Sequence, residues 1–462
     1  MTLLKLTTLA AVESFPASTA TVTFNEQIAP IVYNKCAGCH RAGESAPFPL
    51  TSYKEIAKRG PLIAGVTQSR YMPPWTAAPS SFAYRDERRL SDDQIALIQA
   101  WVKQGMPEGD PAKTPVLPAF PVGWQLGQPD LIVSFPREYH IPAEGPDIYR
   151  DFVIPVGLAE DKWLRAVEVR PTALKAIHHM LYYADPSGSM REQDRSESLP
   201  GFSGLGLPRG TISLGVWAGG TQPHFLPDGV ARPFPKGSDL IIQEHFHPTG
   251  KEEVEKTVVG LYFAKQAPER RMLSIQLPIE FGFFAGIQIP AGEKNYSVRD
   301  SFTLPIDVDA FGVSAHAHFI GKSMKLTATL PTGETKVLLD IPNWDFAWQD
   351  GYIFRDMVAL PKGTRLDGEV SWDNSASNPR NPSTPPVPVA WGEQSRDEMG
   401  SVTLDLVPHL QAERPVLVKV LGERSVHDRD AAYARDPSLK DYFEGILNGQ
   451  TKVFQNGERK SQ

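Results

Sequence analysis

Cys36-Ala37-Gly38-Cys39-His40 places two thiols and an imidazole within five residues. That spacing lets both sulfurs form thioether bonds to a porphyrin while His40 supplies one axial nitrogen. These are the only two cysteines in the chain, so neither a zinc site built on further thiolates nor a disulfide framework is available. Three histidine elements follow at wide separations: His178-His179, Gln243-Glu244-His245-Phe246-His247 and His316-Ala317-His318. On a strand, residues two apart face the same way, so His316 and His318 can grip one ion, and Gln243, His245 and His247 share a face. Neighbours such as His178 and His179 point apart on a regular strand. Both can serve one ion only at a strand end or a twist. Imidazole groups of this kind suit copper or zinc. His140, His224, His409 and His427 have no partner nearby in the sequence and default to structural roles.

The elements around the thiols read as helical. Asn25 is placed to cap a helix carrying Ile28, Ile31 and Val32, and Ser91-Asp92-Asp93-Gln94 is a capping box before Ile95, Ile98, Trp101 and Val102, with Gly105 at the stop. A methionine can complete the haem coordination and raise its potential toward electron transfer. Met72, in the proline-stiffened run Arg70-Tyr71-Met72-Pro73-Pro74-Trp75, is preferred over Met106, which follows the last helix in a turn. This helix, CxxCH, methionine loop and closing helix resemble the small class I cytochrome c domains. A covalent haem c is what the motif implies.

With 462 residues, two or three domains are expected, and 42 prolines and 37 glycines favour short strands over long helices in the bulk. The chain is expected to divide into a signal-like N-terminus (1–23), a small all-α cytochrome c domain (24–112), a proline-rich linker, two all-β, jelly-roll-like antiparallel sandwiches (122–264 and 265–412), and a tail (413–462) that docks or wraps. Runs such as Leu131-Ile132-Val133-Ser134-Phe135, Leu240-Ile241-Ile242-Gln243, Val258 to Phe263 and Met324 to Leu330 are the candidate strands. Helix is expected in the tail from Asp428 to Leu447.

A formal net charge of −7 argues against nucleic acid as a partner. No stretch approaches the roughly 20 apolar residues that span a bilayer, so no membrane span is expected. Haem attachment to CxxCH takes place outside the bacterial cytoplasm, which predicts a periplasmic or secreted protein with a short signal peptide at the N-terminus.

The order His178-His179, Gln-x-His-x-His, His-x-His and then Asp397-Glu398-Met399 resembles the copper type II, ascorbate-dependent monooxygenases, the family of peptidylglycine α-hydroxylating and dopamine β-monooxygenases. The resemblance covers about residues 125 to 410 and is strongest at the ligand motifs. It implies that His178, His179 and His245 hold an electron-supplying copper and that His316, His318 and Met399 hold the copper where oxygen reacts. Met399, a soft ligand, suits Cu(I) and is poor for zinc. Gln243 matches a glutamine of the family with a structural or relay role, and His247 stands behind the ligands rather than among them. The peptide-amidating members recognise a substrate carboxylate with arginine, asparagine and tyrosine where this chain has Ser314, Ser401 and Thr403, so peptidylglycine is a poor candidate.

The activity expected from this set is C–H hydroxylation of a small organic substrate by O₂, with two copper ions and with electrons arriving through the chain's own haem from an external donor. The alternatives are a haem–copper oxidase or reductase acting on O₂ or a nitrogen oxide, and a non-catalytic electron carrier. The glycine-rich, apolar stretch from Gly201 to Gly220 hints at a hydrophobic substrate.

Overall fold

The computed structural model describes residues 21–447 apart from 45, 122, 204–209, 220 and 393, together with 452–455 and 458–461. Residues 1–20 of the expected signal peptide, and 204–209 and 220 of the apolar stretch after Gly201, lie outside the described residues. The chain divides into two compact units, residues 1–73 with 88–119 and residues 74–87 with 120–462.

The first unit is helical. Ala29–Lys35, Tyr53–Ala57, Gly60–Gln68 and Asp92–Lys103 are α-helices, and Phe24, Ile28, Val32, Ile56, Ile98 and Trp101 form its buried core. The capping box at Ser91 and Gln94 is formed in both directions, and Gly105 follows the helix end at φ 82°, a conformation that glycine adopts without strain. Asn25 does not cap. It lies inside the first helical turn, Phe24–Ile28, with Thr23 at the N-cap position, and its buried amide makes no side-chain hydrogen bond. The proline-rich linker contains one 3₁₀ turn, Pro111–Lys113, started by Asp110, whose carboxylate accepts from the Ala112 N–H.

An unbroken helical unit from 24 to 112 is not what forms. Residues 74–87 belong with the second unit, where Ala78 and Ser81 donate backbone hydrogen bonds to Asp340 and Val337, and Tyr84 buries its ring between Tyr352 and Phe354. The aromatic residues Trp75, Phe82 and Tyr84 find apolar partners on strands almost three hundred positions away, a pairing with no local signal.

The second unit is built from antiparallel sheets. One four-stranded sheet orders Leu131–Ser134, Val258–Phe263, Lys162–Arg170 and Arg232–Phe234; it shares a core with a five-stranded sheet that orders Phe202–Ser203, Ile148–Pro155, Asp239–Phe246, Ile177–Asp185 and Ile212–Ala218. A second pair follows. Leu273–Leu277, Gly400–Pro408, Val308–Ala317 and Gly351–Leu360 form one sheet, and Tyr296–Thr303, Arg365–Trp372, Gly321–Thr329 and Thr335–Ile341 the other, over a core that includes Leu326, Val370, Trp372, Val402 and Leu404. The change of core falls between the strands Val258–Phe263 and Leu273–Leu277, where the apolar pattern breaks.

Helix in the tail begins earlier than Asp428. It runs from Arg414 to Arg435 and resumes at Ser438–Leu447, and Leu417, Ala432, Leu439 and Tyr442 are buried in the second core, so the tail docks. No helix among the described residues is long and apolar enough to cross a membrane.

Gly400 packs so tightly that a Cβ there would lie 2.3 Å from Trp372 Cζ2 and 3.0 Å from Val370 Cγ1. Gly400→Ala is therefore expected to lower stability by about 1–3 kcal/mol, read from the urea midpoint; an unchanged midpoint would contradict this packing.

Candidate metal centres

The five-stranded sheet is buried on both faces at its central strand. Residues Leu240, Ile242 and Phe246 of Asp239–Phe246 face the apolar core, so Ile241, Gln243 and His245 face the other side. His179 is the cross-strand partner of His245. The ladder then skips from that pair to Ile177 and Phe246, which makes His178 an extra, bulged residue. A bulge breaks the alternation that would otherwise send adjacent side chains to opposite faces. One ligand nitrogen from each of His178, His179 and His245 consequently lies within 4.8 Å of the others.

The protonation of these rings is set by their neighbours. His245 Nε2 donates to Asp147 Oδ2 at 2.9 Å, which leaves Nδ1 with its lone pair, 3.3 Å from His179 Nε2. His178 and His179 each bury an Nδ1 that has no hydrogen-bond partner. Buried polar atoms of this kind are rarely left unsatisfied, and a cation would satisfy both. Burial, reinforced by the neighbouring imidazoles, pushes the His178 pKa down to about 3 and that of His179 well below its ordinary value, so both are neutral ligands at neutral pH. Burial alone would raise the Asp147 carboxyl, but hydrogen bonds from His245, His247 and Ser395 outweigh it and hold the group well below the usual carboxylate range.

Tyr149 stacks on the His245 ring at 4.1 Å. Gln243 donates to the buried carboxyl of Asp151 at 3.1 Å and so braces the strand. His247 is exposed and bonds Asp147 Oδ1 through Nδ1 at 2.8 Å, beside the cluster and sharing its carboxylate.

His316 lies near the end of the strand Val308–Ala317 and His318 just beyond it, with ring centroids 5.2 Å apart. His316 Nδ1 donates to Gln349 Oε1 at 2.6 Å and His318 Nδ1 donates to the Asp397 carbonyl at 3.1 Å. Both rings therefore keep Nε2 for another partner. Burial lowers the His316 pKa to about 4 and takes His318 well below its ordinary value. The ladder pairs His316 with Ser401 and Ala317 with Gly400, and Met399 and His318 are the next residues beyond its end. Glu398 locks this end. Its buried carboxyl group accepts from the His318 and Ile320 N–H groups and from Trp372 Nε1, each at 2.8 Å.

Phe346 lies between the two sets. Its ring stacks on His178 at 4.2 Å and meets His318 edge-on at 5.6 Å. A single phenyl ring thus separates imidazoles of the two clusters. Ser314 and Ser401 lie in the same ladder as His316, and the Ser401 hydroxyl accepts from Gln276 Nε2 at 3.2 Å. The turn after the strand Leu273–Leu277 carries Glu280 and Phe281 at φ 49° and 50°, and Phe281 sets its edge against His316 at 5.3 Å.

In the first unit, a helical turn carries Cys36 to His40, with the His40 N–H donating to the Cys36 carbonyl at 2.9 Å. His40 Nδ1 donates to the Phe48 carbonyl at 3.0 Å, which leaves its Nε2 for another partner, and Cys36 and Cys39 are not joined in a disulfide. That donor set fits a covalently attached haem. Met72 is half-buried at the end of its loop, with its N–H on the Val66 carbonyl. Met106 is committed to packing, because its sulfur lies over the bare backbone of Gly60, where a Cβ would come within 2.3 Å.

Asp147, Tyr149, Phe346, Gln349, Ser395 and the lock formed by Glu398 have no signature in the sequence. Only Asp397-Glu398, adjacent to Met399, is visible there as part of a motif. His140 pairs with Glu252 and His409 with Asp309 at the surface, as structural residues do.

No family model matches the chain, and no curated protein matches it. Among solved structures, PNGF-II is 12% identical over 60% of this chain and 65% of its own, with a TM-score of 0.27. PNGase F, a glycosylasparaginase from Flavobacterium meningosepticum, is 9% identical over 59% of this chain and 96% of its own, with a TM-score of 0.26. The major capsid protein P2 of bacteriophage PM2 is 7% identical over 57% and 97%, with a TM-score of 0.22. Likenesses at this level carry no functional argument.

Because burial lowers the pKa values of His178, His179, His316 and His318, these four rings should not be what releases an ion from the clusters on dialysis between about pH 8 and about pH 6, and proton uptake by them in that range would count against the assigned burial. Burial lifts the Glu398 pKa from 4.5 to about 8 against hydrogen bonds from the His318, Ile320 and Met399 N–H groups and from Trp372. A raised carboxyl stabilises the fold fully below its unfolded pKa, and this contribution is lost as pH climbs toward 8. The stability of the wild type relative to Glu398→Gln should fall over that window and then level off, as read from urea midpoints.

Proposed function

We propose that this chain is a copper-dependent monooxygenase that hydroxylates a C–H bond of a small organic molecule with O₂ and receives electrons through its own c-type haem. The observation that carries the reading is the pair of imidazole clusters on either side of Phe346, the first with one ligand nitrogen of each ring within 4.8 Å of the others and with Nδ1 of His178 and of His179 buried without a hydrogen-bond partner. On this reading His178, His179 and His245 hold one copper, and His316, His318 and Met399 hold the other. The helical unit is a class I cytochrome c domain with Cys36, Cys39, His40 and Met72 around its haem, and the sandwiches are the two copper domains of the ascorbate-dependent family. A periplasmic or secreted location goes with the haem.

Bound copper would supply the one-electron chemistry that allows O₂ to oxidise a C–H bond, and bound haem would supply single electrons. The protein's part is orientation and exclusion of water. Asp147, Gln349 and the Asp397 carbonyl each take the proton of one imidazole, so that the opposite nitrogen is presented. Glu398 fixes the backbone at His318 and beside Met399, and a thioether there favours the reduced ion. Phe346, itself 6% exposed, sets an apolar ring against His178 and His318. Ser314, Ser401 and Thr403 give the wall near His316 hydroxyls rather than a guanidinium, which suits an uncharged substrate over a carboxylate. Haem and copper sites on one chain also keep the electron donor at high effective concentration.

The test is incorporation of ¹⁸O from ¹⁸O₂ when the reduced, copper-supplied chain is offered a panel of small uncharged organic molecules. Labelled hydroxylated product is expected with the wild type, and Met399→Ala should lose at least about 100-fold of it, the scale of removing one preorganised group from an active site, while haem absorption is unchanged. Undiminished hydroxylation by Met399→Ala would remove the assignment of the oxygen site.

A further inference from the structure

Each residue that orients the second cluster belongs to a segment that also touches the first. Asp147 Oδ2 accepts both from His245 Nε2 and from the Ser395 hydroxyl, at 2.9 Å in each case. Ser395, 4% exposed, stands two residues before Asp397, whose carbonyl holds the His318 ring, and four before Met399. The loop between the strands Thr335–Ile341 and Gly351–Leu360 makes a second connection. From it Trp344 Nε1 donates to the His318 carbonyl at 3.2 Å, Gln349 accepts from His316, and Phe346 stacks on His178 while its edge meets His318.

We propose that Asp147, Ser395 and Phe346 couple the two clusters, so that a cation bound by His178, His179 and His245 raises the affinity of His316, His318 and Met399 for a second, and the reverse. The inference rests on reading both clusters as copper sites. An ion in the first cluster fixes three imidazoles, and with them the Asp147 carboxylate and the face on which Phe346 stacks. Those two groups then hold Ser395 and the 342–350 loop. The second ion meets a cluster whose ordering has already been accomplished. Thermodynamic linkage makes the effect mutual, and couplings of this sort are commonly about five- to 150-fold. The benefit is that a half-filled chain, which could reduce O₂ without completing a hydroxylation, is depleted in favour of empty and full ones. Asp147, Ser395 and Phe346 act here as positioning residues.

The experiment is copper(I) titration of the full chain against a chromophoric copper(I) chelator, without turnover. His179→Ala and His318→Ala each leave one intact cluster and report its affinity alone. The wild type is expected to take up two ions at these clusters, the second at least about fivefold more tightly than the lone cluster binds in either single variant. Ser395→Ala combined with Phe346→Ala should still bind two ions, each with the affinity of a lone cluster, whereas Ser395→Thr with Phe346→Tyr should keep the coupling. Should that double alanine variant fail to fold, the comparison of wild type with the single-cluster variants decides alone. Two ions bound independently in the wild type would overturn the coupling and leave the proposed function standing. A wild type that binds no ion at these residues would remove both.

Discussion

Imidazoles give up hydration when they are buried, and the second unit is organised around what they receive in return. His178, His179, His316 and His318 are held neutral by burial, and His245 is buried among them. His245, His316 and His318 each give one ring proton to a fixed oxygen, on Asp147, Gln349 and Asp397. A desolvated neutral ring with one nitrogen tied down is a poor base and a good ligand. The bulge at His178, the strand end at His318 and the loop holding Phe346 all follow from the need to bring such rings together without leaving the sheet ladders unpaired.

The carboxylates around the clusters divide the labour by environment. Asp147 is held ionised by its hydrogen bonds from His245, His247 and Ser395. Glu398 sits deeper, where burial outweighs its N–H donors, and serves the backbone instead. Glu244, on the opposite face of the same strand as His245, is pushed up by burial and by Glu255 and faces away from the cluster.

Much of the fold was legible from local pattern. The apolar runs Leu131–Ser134, Val258–Phe263 and Met324–Thr329 are strands, and the capping box at Ser91 starts the helix it announces. The histidine elements were legible because two-residue spacing on a strand is a geometric statement, whereas the convergence of His178 and His179 depends on a bulge that no composition rule specifies. What stayed hidden was non-local. Asp147 lies 98 positions from His245 and 248 from Ser395, and the partners of Tyr84 are comparably remote. Asn25 has the residue type of a cap, yet burial beside the first helix takes precedence.

The most direct test of the paired copper sites is anomalous X-ray scattering at the copper edge from crystals grown with reduced copper. Two anomalous peaks per chain are expected in the second unit, one enclosed by His178, His179 and His245 and one bounded by His316, His318 and Met399. Absence of density at both positions under saturating copper, or copper bound only elsewhere on the chain, would contradict the assignment.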